Sequence, residues 1–172
     1  MQRKSKIRYV ILIIAAMTGF TCIFTPVVQG KSTKLVFEAE AVQFHVETQD
    51  EWMEDGIYHI RYLKINTLSG KIGGIDFRGQ NEINVHVKID FATRELIANG
   101  KVTWDITWDG LGGLEGTFYG PINSKGLFMG GLNSKITLQG AGDFNGWKLF
   151  GIVETLPGSL RNILSGTVLI PN

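Results

Sequence analysis

Residues Ile83-Asn84-Val85-His86-Val87-Lys88-Ile89-Asp90-Phe91 alternate without a break, with apolar side chains at every odd position and polar ones at every even position. Successive side chains of a strand point to opposite faces, so this stretch reads as a β-strand with one face in a core and the other in water. The same rhythm continues downstream. Leu96, Ala98, Gly100, Val102, Trp104, Ile106 and Trp108 share one face, with Thr103, Asp105 and Thr107 opposite. Asn99-Gly100 would suit a two-residue hairpin turn. The apolar phase passes straight through it, however, and Ala92–Glu95 supplies a turn, so one continuous strand is expected. Leu114, Gly116, Phe118, Gly120 and Ile122 form a third inward set, and Leu132, Ile136, Leu138, Gly140, Gly142 and Phe144 a fourth.

Upstream, the pattern changes phase. Leu35, Phe37, Ala39 and Ala41 share one face, then Val42, Phe44 and Val46 the other, which a β-bulge between Ala41 and Val42 would produce. Asp55-Gly56 ends a short loop, and Ile57–Thr67 follows as a strand. Further strands are expected at Ile72–Phe77, Trp147–Glu154 and Ile163–Ile170, with at most a helical turn at Asp50–Glu54 and at Ser159–Leu164. Eight or nine strands at spacings of about 8–15 residues indicate an all-β barrel or sandwich. The glycines favour the barrel. Many of them fall on the apolar face within strands, next to Trp104, Trp108, Phe118, Phe144 and Trp147. Small and large inward residues in alternation suit a tightly curved closed sheet, which also leaves no edge to protect. The outward Lys, Asp, Asn and Thr meet water, unlike the apolar outer face of a transmembrane barrel. The expected fold is a single antiparallel up-and-down β-barrel of about eight strands over 31–172.

The residues before it read as an address. Arg3, Lys4, Lys6 and Arg8 precede sixteen uncharged residues, Tyr9–Phe24, then Pro26 and small or modest residues at Val28 and Gly30. That is the pattern of a secretory signal peptide over 1–30, cleaved after Gly30. The rival is an uncleaved anchor, in which Tyr9–Val28, about 20 residues, barely spans a bilayer. Both send the body out of the cytoplasm, secreted or anchored at the membrane, and membrane contact is expected only through Tyr9–Val28 if it is retained. Cys22 follows Phe20-Thr21 inside the apolar run, the wrong context for lipidation, and cleavage would leave a body without cysteine. The chain of 172 residues has a net charge of +1, but from Lys31 onward 13 basic residues face 16 acidic ones, or 13 − 16 = −3. A mildly acidic body argues against nucleic acid as a partner. Its 15 aromatic residues argue against disorder, and about 140 residues can bury a core without staples.

Gly112-Gly113-Leu114-Glu115-Gly116 and Gly142-Asp143-Phe144-Asn145-Gly146 repeat a Gly-x-apolar-x-Gly pattern thirty residues apart, the length of one hairpin. The second copy, within Gly140–Gly146, resembles the Gly-rich hairpin of the allene oxide cyclase-like and dirigent-like barrels. That resemblance covers about a quarter of the chain and implies an eight-stranded secreted or organellar barrel with an interior pocket. No catalytic residue of either family has a match here, so the resemblance carries over no activity.

The candidate chemistry is sparse. His45 and His86 alternate with inward residues and should face solvent. The strand Ile57–Ile65 is ambiguous: Tyr58, Ile60 and Tyr62 lie on one side and Ile57, His59, Arg61, Leu63 and Ile65 on the other. If the second face points inward, His59 and Arg61 mark a ligand pocket, because buried polar groups must be paired. The favoured alternative is an outward pair beside a barrel mouth. Trp104, Trp108, Phe118 and Trp147 could stack against a sugar or lipid, although core filling is favoured. The acidic group Asp50, Glu51, Glu54 and Asp55 lacks the spacing of a calcium loop, no metal or cofactor is expected, and neither a phosphate loop nor a nucleophile elbow is present. The leading expectation is a non-catalytic binder of a small apolar ligand or a surface partner. The alternatives are an isomerase or cyclase working inside the barrel and a structural envelope protein with a filled barrel. N-terminal sequencing of exported protein should start at Lys31, whereas an intact Met1 in the membrane fraction would establish the anchor.

Overall fold

A computed structural model describes residues 32–155 and 158–171. The signal-peptide and anchor readings fall outside these residues. The eight strands are β1 (Thr33–Glu54), β2 (Ile57–Ile72), β3 (Ile75–Asp90), β4 (Glu95–Trp108), β5 (Leu114–Leu127), β6 (Leu132–Gly142), β7 (Lys148–Thr155) and β8 (Arg161–Ile170). Each pairs antiparallel with the next, and β8 pairs with β1 to close the barrel. The connections β1–β2, β3–β4, β5–β6 and β7–β8 gather at one end, here the upper. Those of β2–β3, β4–β5 and β6–β7 gather at the lower end.

The strand boundaries follow local chemistry. Asp55-Gly56 and Gly73-Gly74 each form a two-residue hairpin turn with both residues at positive φ, the backbone that matches the twist of the flanking strands. At Asp90 the carboxylate accepts hydrogen bonds from the backbone N–H groups of Ala92 and Thr93 at 2.8 and 3.3 Å, which turns the chain before β4. β4 then runs unbroken through Asn99-Gly100.

Several local expectations are corrected. Ile72–Phe77 is not a strand of its own but the β2–β3 hairpin. Asp50–Glu54 is strand and completes β1, and β8 begins within Ser159–Leu164. The bulge lies farther along β1 than expected. Register shifts fall between Gln43 and His45 and between Thr48 and Asp50, and Val42 still pairs with Thr67. The acidic residues do not share a loop, because Asp50, Glu51 and Glu54 belong to β1.

The lower half of the interior is filled with rings. Trp104 is 0% exposed. It stands edge-on to Phe37 at 5.8 Å and parallel to Phe77 at 6.5 Å. Phe118 stacks on Phe144 at 5.0 Å, and Trp147 meets Phe144 and Trp108 edge-on at 5.2 and 5.5 Å. The inward glycines make this packing possible. A Cβ at Gly151 would come within 2.7 Å of the Phe37 ring, and one at Gly166 within 2.6 Å, so these two strands make the seat for Phe37. The two Gly-x-apolar-x-Gly copies lie side by side, with Gly116 paired to Gly142 and the backbone N–H of Glu115 donating to the Asp143 carboxylate at 3.0 Å. Trp104→Ala would empty the centre of this packing and should lower stability by about 3–5 kcal/mol, read from a shifted urea midpoint.

Candidate functional site

Beside and above the rings the interior changes character, beginning at Asn81, the cross-strand partner of Trp104. Along β2 the inward positions are Tyr58, Ile60, Tyr62, Lys64, Asn66 and Leu68, because Leu68 pairs across to core residue Ala41 and the strand alternates from there. This settles the ambiguous strand: His59 and Arg61 lie on the outer face. The cross-strand partners of these inward residues on β3 are Ile89, Val87, Val85, Ile83, Asn81 and Gly79.

Five buried polar residues face the interior: Asn66, Asn81, Ser124, Ser134 and Asn162. They do so as cross-strand pairs. Asn66 is opposite Asn81 and donates its amide to the Asn81 side-chain oxygen. Ser124 is opposite Ser134, the hydroxyls 2.5 Å apart. Thr155 is opposite Asn162 and donates to its side-chain oxygen at 2.6 Å. Six of the eight strands thus contribute to a polar belt inside the barrel. Buried polar groups are normally paired. The belt meets that rule except at Asn66 Oδ1, which is buried and has no hydrogen-bond partner.

Lys64 sits one inward step above Asn66, between Val46 of β1 and Ile83 of β3. No carboxylate lies within 4.0 Å of it among the described residues. Burial pulls its ammonium pKa below the usual lysine value and pushes the neighbouring Tyr62 phenol up. Val85, Val87, Ala98, Ile122 and Val153 complete the buried apolar lining of this half. Every upper connection or its strand end also presents an exposed apolar side chain: Met53, Phe91, Leu127 with Phe128 and Met129, and Leu160. The backbone N–H of Phe128 donates to the Arg94 carbonyl at 2.8 Å, which joins two of these tips, and their Phe91 and Phe128 rings meet edge-on at 5.6 Å.

The residues singled out from sequence therefore separate into two places. Trp104, Trp108, Phe118 and Trp147 lie together in the lower interior. His59 and Arg61 lie on the outer wall of the β1–β2–β3 sheet, under and beside Trp52. The indole stacks on His59 at 4.7 Å and on His86 at 5.2 Å, and the Arg61 guanidinium lies 5.2 Å from the indole ring. His59 Nδ1 and His86 Nε2 are 3.0 Å apart, and Glu54 is 3.9 Å from His59 Nε2. The Trp52 cover leaves His59 only 5% exposed despite its outward direction. His86 is half-buried, and His45 is exposed. Lys64 and the polar belt were missed. Their signal was a polar residue standing in an inward, apolar phase of its strand.

Desolvation, then the charges of His59, Arg61 and Lys88, hold the His86 pKa below its usual 6.5. The unfolded chain consequently takes up this proton first. Stability is complete above pH 6.5 and is lost as the pH falls through the lower folded value. Urea midpoints measured between pH 7.5 and pH 5 should fall in wild type, and less steeply in His86→Gln. Comparison with known proteins adds no assignment: no protein-family model matches the sequence, and no curated protein is significantly similar to it.

Proposed function

We propose that the protein is an extracytoplasmic binding barrel that holds one small, apolar-bodied molecule in the upper half of its interior. The observation that carries this reading is the division of the interior. Rings fill the lower half, where the Trp104 and Trp108 indole N–H groups are buried without a partner as Asn66 Oδ1 is, while the upper half adds three cross-strand polar pairs beneath apolar walls. An interior that only had to be stable would use apolar residues at the positions of the three pairs, since a buried polar group gains little over water even when it is paired. A few fixed polar groups in an apolar concavity are the usual composition of a small-molecule site. The exposed apolar side chains at the upper tips fit entry of such a molecule from that end. An eight-stranded barrel has room for either packed side chains or one small ligand.

The lower half favours a second reading, that of a filled structural barrel, because its core is solid with Trp and Phe. Ala98→Trp separates the two. Ala98 faces the upper interior opposite Val87 and Ser124. In a ligand site the new indole takes the ligand's place: a hydrophobic fluorescent probe that binds wild type saturably no longer binds, and the urea midpoint barely moves. In a filled interior it overpacks, with a loss of about 1–3 kcal/mol, and wild type binds no probe at all.

A further inference from the structure

We propose that the molecule held in the upper interior is an organic anion with an apolar body, its charged oxygen held by the ammonium of Lys64. The inference rests on the binding reading above and specifies its chemistry. Lys64 is the only charged residue among the inward positions of β2, and its cross-strand neighbours Val46 and Ile83 offer it no hydrogen bond. A half-buried ammonium normally finds a carboxylate, because an unpaired charge away from water is costly. Here no carboxylate of the described residues lies within 4.0 Å. The nearest acidic residue facing the same way on β1 is Glu51, which pairs with Ile60 rather than with Lys64 and already accepts a hydrogen bond from the Tyr58 hydroxyl at 2.6 Å.

The second observation is independent of charge. Asn66 is 0% exposed, stands on the same face as Lys64, and turns an acceptor without a partner into the interior. A cation at this level would meet Lys64 and be repelled. A neutral hydrocarbon would leave both groups unmet. An anion satisfies the ammonium, and a hydroxyl near the charged end satisfies Asn66. The buried side chains Val85, Val87, Ile122 and Val153 of the same half are apolar, which suits an apolar body.

The test uses three probes of equal chain length (decanoate, decanol and decyltrimethylammonium) together with acetate, each displacing a hydrophobic fluorescent probe from the protein. Decanoate should displace it at about one-tenth the concentration of decanol, the worth of one charge-assisted hydrogen bond. Decyltrimethylammonium should be weakest and acetate ineffective. In Lys64→Met, decanoate should fall to the level of decanol while decanol itself is unchanged, and Lys64→Arg should keep the preference. Equal displacement by decanoate and decanol in wild type overturns the anion, as does a preference that survives in Lys64→Met. Both results leave the ligand site standing. Displacement by acetate as effective as by decanoate overturns the apolar body. If the probe does not bind, or none of the three ten-carbon compounds displaces it, the binding reading itself falls.

Discussion

The seat of Phe37 on Gly151 and Gly166 is the contact on which the barrel depends. Phe37 belongs to β1, the strand that must meet β8 for the sheet to close, and its cross-strand partner on β8 is Gly166 itself. Closing eight strands leaves little width inside, so two large side chains cannot occupy adjacent inward positions at the same height. Glycine on β7 and β8 frees the space, and one ring from β1 occupies it. The same exchange recurs between Gly116 and Phe144, where a Cβ would come within 2.9 Å of the Phe144 ring. Glycine within a strand costs backbone entropy of roughly 0.5–1 kcal/mol. Here the aromatic packing it allows offsets that cost, since a buried aromatic side chain contributes about 1.5–3 kcal/mol.

Closure also determines where the chain departs from a simple barrel. β1 pairs with β8 only as far as Val42 and Arg161, yet it continues to Glu54 alongside β2. The Gln43 N–H still donates to the Leu160 carbonyl at 2.8 Å, and the stretch beyond it, which holds both bulges of β1, is bordered on one side only. Bulges concentrate at sheet edges, where they increase the twist and turn a strand away from further pairing. The acidic residues Glu47, Asp50, Glu51 and Glu54 occupy this same stretch. Like charges along an exposed edge oppose pairing with a second copy of the same edge. Trp52 lies on this stretch too, and its cover buries His59 and partly covers His86 on a face that alternation alone would give to water.

This accounts for what could be read from the sequence and what could not. The strands β3 to β6 were legible because one face of each is apolar over most of its length, and period two needs no knowledge of partners. Their aromatic residues were legible as core for the same reason. β1 and β2 were harder to read. On β1 the bulges reset the phase, and Phe44 and Val46 suggested a switch earlier than the one that occurs. On β2 both faces are mixed, since His59, Leu63 and Ile65 pack on the outside while Tyr62, Lys64 and Asn66 face in. Local pattern cannot rank such faces; the ladder with β1 does, by placing Leu68 against Ala41. The burial of His59 was invisible for a related reason, because it depends on a residue seven positions away across a hairpin.

The polar belt was written in the sequence, but its meaning depends on register. Ser124 continues the inward phase of Phe118 and Ile122, Ser134 that of Ile136 and Leu138, and Asn162 that of Leu164. Taken singly, each looks like an irregularity near a strand end. The ladders bring them opposite one another, serine to serine and asparagine to asparagine or threonine. Three matched pairs on three separate strand pairs make random tolerance of polar residues a poor explanation, since an unmatched one would be destabilising at each position. Pairing lets the fold keep these groups inside at low cost. It does not explain why a barrel able to fill its lower half with Trp and Phe also keeps three polar pairs and an unpaired lysine on inward positions otherwise occupied by Val, Ile and Ala. The proposed ligand would supply the partner that Lys64 and Asn66 lack within the chain.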